Sequence, residues 1–187
     1  PFREDFAGML GYLELRPKAK KKDREGYRDA DRVDNTFELF QKLIEDRDDK
    51  IDQESFLKAR LMDNIVVDWD RHMSNWSWLG YGDKKAMTYY PYAKDRDKAM
   101  SRMGGFFRLL DLEMISKDMA RFRKKNYGLK SLNYKNRTMD HFLLAEATLE
   151  DWVSAARSIQ ETLTDAVIDS AIHQMPAEVV PLSGDYV

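Results

Sequence analysis

Along most of the chain apolar residues return every three or four positions, and in one stretch they alternate. After Asn35, a residue suited to cap a helix start, Phe37, Phe40, Leu43 and Ile44 follow helical spacing and predict a helix over Thr36 to Glu45. Asp52 is placed to cap a second helix, with a hydrophobic staple between Ile51 and Phe56. Leu57, Leu61 and Ile65 line one face of that helix, which runs to Val67. Phe106 to Lys125 carries a broad apolar stripe that includes Phe107, Leu110, Met114 and Phe122, a pattern suited to a core. Met139 to Ala147 reads as a short helix. Thr148 and Asp151 form a capping box for Leu149 to Glu161, with Trp152, Ala155, Ala156 and Ile159 inward, and Thr164 caps a last helix to His173. Before Pro17, the apolar stretch Phe6 to Leu15 is a short helix or an extended segment.

The alternating stretch lies in the middle. Trp76 and Trp78 fall on one face of a strand from Asn75 to Leu79. Gly80, Gly82 and Asp83 supply turn chemistry, and Met87 to Tyr92 is an aromatic-rich return strand. A turn near Asp83 and Lys84 sets Asn75 opposite Tyr92. The expected fold is therefore mainly α with one β-hairpin, in a single domain over 1–187. Its parts are an N-terminal segment and loop (1–34), helices (35–67), a loop and hairpin (68–97), a helical bundle (104–180) after a Gly104-Gly105 turn, and a tail (181–187).

Composition narrows the class. A length of 187 residues suits one domain, and 43% hydrophobic residues with four Trp, nine Tyr and nine Phe can build its core. A formal net charge of −2 argues against broad nucleic-acid binding. The 34% charged fraction, mixed in sign, reads as solvated helix faces. Absence of cysteine suits a reducing cytosol and a disulfide-free exported protein equally. No apolar run approaches ~20 residues, so no transmembrane segment is expected, and no signal-peptide pattern opens the chain. The start at Pro1 without Met reads as a piece excised from a longer parent. The basic run Lys18 to Lys22 is a surface loop or, in a sharper reading, a phosphate-facing patch. Asp46 to Asp52 superficially resembles a calcium loop, but Ile51 and Leu57 stand where Gly and Glu are required, so it reads as a solvated turn.

The chemistry gathers at the ends of the hairpin. Asp70-Arg71-His72 precedes it, with Asn75 five positions after Asp70, and Asp95-Arg96-Asp97 follows it. Phosphoryl transfer needs a carboxylate to accept the proton of an attacking hydroxyl, and an Asn oxygen with a second carboxylate to hold Mg²⁺ against the phosphates. Hairpin pairing brings these groups together at its open end. Asp68 is an extra carboxylate that either perturbs Asp70 or is itself the base. Lys94 and Arg96 are placed to face phosphate oxygens of a nucleotide.

Asp70-Arg71-His72 with Asn75 resembles the D-R-H-x-x-N loop of the phosphatidylinositol 3- and 4-kinases, and the related loops of secretory-pathway and spore-coat atypical kinases. Four stretches are similar to a kinase-like region of large bacterial envelope proteins, many from Bacteroidetes: REDFAGMLGYLELRP, VVDWDRHMSNWSW, KDRDKAM and the tail LEDWVSAARSIQETLTDAVIDSAIHQMPAEV. There the region lies beside a metallophosphoesterase or an outer-membrane barrel domain. The resemblance implies the helical C-terminal lobe of a protein-kinase-like fold, with Mg and ATP as cofactors and an unknown phosphate acceptor. It implies Asp70 as base, Arg71 and His72 as structural members of the loop, and Asn75 with Asp95 or Asp97 as metal ligands. It also implies a bacterial envelope or periplasmic setting; apart from it, the cytoplasm is expected.

This chain departs from the pattern in three ways. Val67, Asp68 and Trp69 stand before Asp70, where the phosphoinositide kinases have Gly. Met100 and Ser101 stand where spore-coat-type kinases show Phe-Gly. No Gly-rich loop or strand Lys precedes the loop, so the N-terminal lobe is absent from this chain: either it lies in adjoining parts of a longer parent, or the chain works without it. Two alternatives follow: a non-catalytic kinase-like scaffold or interaction module, and a metal-dependent hydrolase built on Asp68, Asp70, Asp95 and Asp97.

Overall fold

The computed structural model describes residues 14–22, 24–83, 86–101, 122 and 129–174. The stripe over Phe106 to Lys125 (Phe122 apart), the Gly104-Gly105 turn, all but the end of the Phe6 to Leu15 stretch, and the tail lie outside them. The described residues form β1 (Arg32–Asn35), α1 (Thr36–Glu45), β2 (Lys50–Ile51), α2 (Gln53–Ile65), β3 (Trp76–Asp83), β4 (Ala86–Ala93), α3 (Leu129–Leu132), α4 (Arg137–Leu143), α5 (Leu149–Thr162) and α6 (Asp165–Ile172). The protein is mainly helical around a hairpin, as expected, but the hairpin does not stand alone. β1 and β2 flank it in a four-stranded mixed sheet of order β1-β3-β4-β2, with β2 parallel to β4 and the other pairs antiparallel.

The helix starts follow from local chemistry. The Asn35 side chain accepts from the N–H groups of Phe37 and Glu38, and Glu38 returns the bond to Asn35 N–H, closing a capping box. Asp52 accepts from Ser55 N–H, Thr148 from Asp151 N–H and Thr164 from Val167 N–H. Ends and faces differ from the sequence pattern. α2 stops at Ile65, where Val66 caps it, two residues before the expected end. α4 starts at Arg137 and ends at Leu143, so Leu144 to Ala147 is a connection. In α1, Leu39, Phe40 and Leu43 face the core, while Phe37 is 64% and Ile44 74% exposed. The apolar positions of α1 span more than one face, and only the sheet decides which is covered.

Trp76 and Trp78 do share a face, and it is the buried one. With Met87 and Tyr89 of β4 they pack against Leu39, Phe56, Met139 and Leu143. The Phe56 ring lies 5.3 Å from Trp76 and 5.5 Å from Trp78 between centroids. Both indoles find acceptors: Trp76 N–H donates to Asn136 Oδ1 at 3.2 Å, and Trp78 N–H to Thr36 Oγ1 at 3.2 Å. Gly80 sits where a Cβ would meet the Tyr89 ring at 2.9 Å, so glycine lets that ring fill the core. Asp49, expected in a solvated turn, is buried and accepts from Met87 N–H at 2.8 Å, which pins β2 beside β4. The basic run is largely exposed, with Lys20 paired to Asp31.

Two outcomes test this fold. Trp78→Ala should lower the unfolding free energy by about 3–5 kcal/mol in urea titration, whereas Phe37→Ala should change it by less than about 0.5 kcal/mol. The Thr148 hydroxyl and N–H hold the Asp151 carboxyl below its ordinary value. A lowered folded value means that the cap's stabilisation is present above the ordinary carboxylate range and is lost as pH falls through the lowered value. Asp151→Asn should therefore flatten the acid limb of stability against pH, measured by circular dichroism.

Candidate functional site

The site begins where α2 ends. Val67 takes a left-handed conformation, φ 54°, which turns the chain so that Asp68 N–H donates to Asp63 carbonyl at 2.8 Å. Asp68 and Arg71 then point inward, and Asp70 between them points out. A 3-10 turn, Met73–Asn75, leads into β3.

Arg71 is fully buried, and each end of its guanidinium holds a different piece of chain. Nη2 donates to Asp68 Oδ2, and Nη1 to the carbonyls of Asn75 at 3.0 Å and Lys94 at 2.6 Å. The cation lies 5.2 Å from the centroid of the Trp76 ring. The network continues to Asp63, which lies 3.4 Å from Arg71 Nε and 2.9 Å from Arg96 Nη2. Those contacts to Asp63 Oδ1 are ion pairs without hydrogen-bond alignment. Arg60 links Asp63, at 2.7 Å, to Asp140 on α4, which it grips with Nε at 2.8 Å and Nη2 at 2.9 Å. Three arginines thus balance three aspartates beneath the loop.

The hairpin register differs from the expected one. Asp83 pairs with Ala86, so the turn is centred one residue later, and Tyr92 lies opposite Ser77 rather than Asn75. Asn75 sits beyond the strand, its carbonyl accepting from Lys94 N–H at 3.0 Å. The pairing has shifted by two positions. An even shift preserves the face, so Asn75 still points away from the tryptophan core.

On that side Asn75, Ser77, Lys94 and Asp95 line a cleft of about 440 Å³, walled across by Glu14, Arg16 and Pro17. Asn75 is 4% exposed. Its Nδ2 donates to the Asp70 carbonyl at 3.3 Å, which fixes the amide and leaves Oδ1 without a hydrogen bond among the described residues. Asp95 is left-handed, φ 56°, and its N–H donates to Glu14 Oε1. Asn75 and Asp95 are therefore brought together, with Lys94 between them.

The other expected residues take different places. Asp70 is not among the cleft's lining residues; its Oδ1 meets Lys135 Nζ at 2.5 Å, although its backbone carbonyl is bonded to Asn75. Asp97 is exposed and pairs with Lys98. The Lys98 ammonium is held above the usual lysine range by the hydrogen bond to Asp97, with smaller contributions from the charges of Asp97, Asp70 and Asp95. All three carboxylates are thus within electrostatic reach of one cation. Arg96 is committed to Asp63 rather than facing the cleft. Asp68 is 1% exposed and bound to Arg71, so it is a structural anion, not a base open to an acceptor. Burial pushes its carboxyl up, while Arg71 opposes the shift and Asp63 adds to it. His72 is half-buried, and its backbone carbonyl accepts from Asn75 N–H.

No cluster of three or more His, Cys, Asp or Glu suited to a metal occurs among the described residues, which counts against a binuclear hydrolase built on Asp68, Asp70, Asp95 and Asp97. Nor is any described helix long and apolar enough to cross a membrane. A second cleft of about 660 Å³, among α2, α3, α4 and α5, contains none of the motif residues. In comparison with known proteins, no family model, no curated protein and no solved structure matches the chain.

Glu14 and Lys135 escaped the sequence reading. They lie 81 and 65 positions from their partners Asp95 and Asp70, and no local signal joins them.

Arg71→Met should destabilise the protein by about 3–5 kcal/mol in urea titration, because Asp68 is left buried without its cation. Arg71→Met combined with Asp68→Leu should recover most of that loss.

Proposed function

We propose that this chain is the catalytic lobe of an atypical ATP- and Mg²⁺-dependent phosphotransferase of the protein-kinase-like type. The observation that carries the reading is Asn75, held by its Nδ2 with Oδ1 making no hydrogen bond among the described residues, sharing one cleft with Asp95 and Lys94 next to the loop that bears Asp70. Oxygen donors of this kind suit Mg²⁺, which Asn75 and Asp95 would hold. The ion, when bound, supplies neutralisation of the phosphate charge. Lys94 offers a cation to phosphate oxygens at the same cleft. Asp70 takes the proton of an acceptor hydroxyl as its oxygen bonds to the γ-phosphorus and the bond to the β–γ bridging oxygen breaks, releasing ADP. Lys135, paired with Asp70, would add a further cation near the acceptor hydroxyl in this reading. The phosphate acceptor is a hydroxyl compound of unassigned class.

A second reading, a non-catalytic kinase-like scaffold, is favoured by the ion pairs Asp70–Lys135 and Asp97–Lys98, in which internal cations already neutralise carboxylates of the motif. Calorimetry separates the two. The catalytic reading expects Mg²⁺-dependent heat on ATP addition that disappears in Asn75→Ala and Asp95→Ala, and slow Mg²⁺-dependent ATP turnover that drops to background in Asp70→Asn. Absence of metal-dependent nucleotide heat in the wild type would leave the scaffold.

A further inference from the structure

The wall of the cleft opposite the hairpin comes from the start of the described chain. Tyr92 O–H donates to the Leu15 carbonyl at 2.9 Å, and Asp95 N–H donates to Glu14 Oε1, so two bonds on either side of Lys94 hold this segment against the end of β4. The Tyr92 ring is itself braced edge-on by Tyr27, 5.3 Å between centroids. Only one oxygen of Glu14 is used in this way. The other is left, among the described residues, in a cleft that it shares with Asn75 Oδ1 and Asp95.

We infer that Glu14 is a third oxygen ligand of the divalent cation, completing a set with Asn75 Oδ1 and Asp95. The inference rests on the phosphotransferase reading for the cation's presence, but goes beyond it in the residue and in the ligand class. Asn75 is 4% exposed, and its Oδ1, which makes no hydrogen bond among the described residues, is the part of the amide left open at the cleft, where it can take a cation or a donor. The charges argue the rest. Glu14 and Asp95 contribute two negative charges, Arg16 and Lys94 two positive ones, all on one cleft. Carboxylates flanked by cations make a poor site for a bare metal, but they balance a metal together with its anionic partner. The chemical class that fits is a divalent cation complexed to a di- or triphosphate, the cation on Glu14, Asn75 and Asp95 and the phosphate oxygens toward Arg16 and Lys94.

Glu14→Gln is the discriminating variant. Its amide oxygen still accepts from Asp95 N–H, so a residue that merely positions Asp95 would tolerate it, whereas a ligand loses its charge. Free Mn²⁺ is followed by electron paramagnetic resonance in the presence of inorganic pyrophosphate, with tryptophan fluorescence reporting the fold. The wild type should take up Mn²⁺, and Glu14→Gln and Asn75→Ala should each weaken uptake at least about tenfold. In the wild-type chain, Mg²⁺ with pyrophosphate should also move the Glu14 carboxyl ¹³C resonance along the same saturation curve as the Asn75 amide carbon. That measurement holds even if a variant does not fold. Unchanged uptake in Glu14→Gln alongside loss in Asn75→Ala, or a Glu14 resonance that stays still while Asn75 moves, would overturn the Glu14 assignment and leave the phosphotransferase reading standing. A wild type that takes up no Mn²⁺ would overturn both.

Discussion

One buried cation organises this protein. A guanidinium removed from water costs several kcal/mol unless its donors and charge are met on all sides. Arg71 answers most of that demand with a carboxylate from its own loop, a carbonyl from each side of the hairpin's open end and the face of Trp76, while its Nε has only the charge of Asp63 beside it. The strands are closed at their turn by ladder bonds. At the other end they are closed by this side chain. The position of Asn75 relative to Lys94 and Asp95 is therefore set by Arg71 as much as by strand pairing. Through Asp63 and Arg60 the same network reaches Asp140, so the loop is also fixed to the helices that follow.

The backbone around this centre is held in conformations that it would not choose alone. Val67, Asp95 and Met100 are left-handed, at φ 54°, 56° and 53°. For a β-branched valine that conformation is costly, of order 1–3 kcal/mol, and it persists only where neighbours over-determine it. The neighbours are visible: Met100 N–H donates to the Val66 carbonyl at 2.6 Å, Val67 N–H to Asn64 carbonyl at 3.3 Å, and Asp95 N–H to Glu14. Of the three, Asp95 lines the cleft, and Val67 and Met100 are joined through the Val66 carbonyl beside the loop. The sheet explains how the cleft is supported. Its tryptophan face is spent on the helical core, and its opposite face, near the strand ends, is where Asn75 and Ser77 meet the incoming segment at Glu14.

What the sequence determined by itself was local. Asn35, Asp52, Thr148 and Thr164 each cap a helix through bonds to backbone groups two or three residues away, so the starts of α1, α2, α5 and α6 are written in short stretches of chain. The alternation of Trp76 and Trp78 around a glycine-rich turn was equally local, and it gave the hairpin and its inner face. Tertiary structure decided the rest. β1 and β2 have too few β-branched or aromatic residues to announce themselves and exist because the hairpin offers them edges. The exposed side of Phe37 and Ile44 depended on where the sheet lies. Most of all, sequence could not separate buried charge from surface charge. Nothing in the local sequence marks Arg60, Asp63, Asp68 and Arg71 as buried, yet all four are, because they pair with one another between α2 and the loop after it and, through Arg60, with Asp140 on α4. Arg60 meets Asp140 across 80 positions and Glu14 meets Asp95 across 81, and only packing brings such pairs within hydrogen-bond reach.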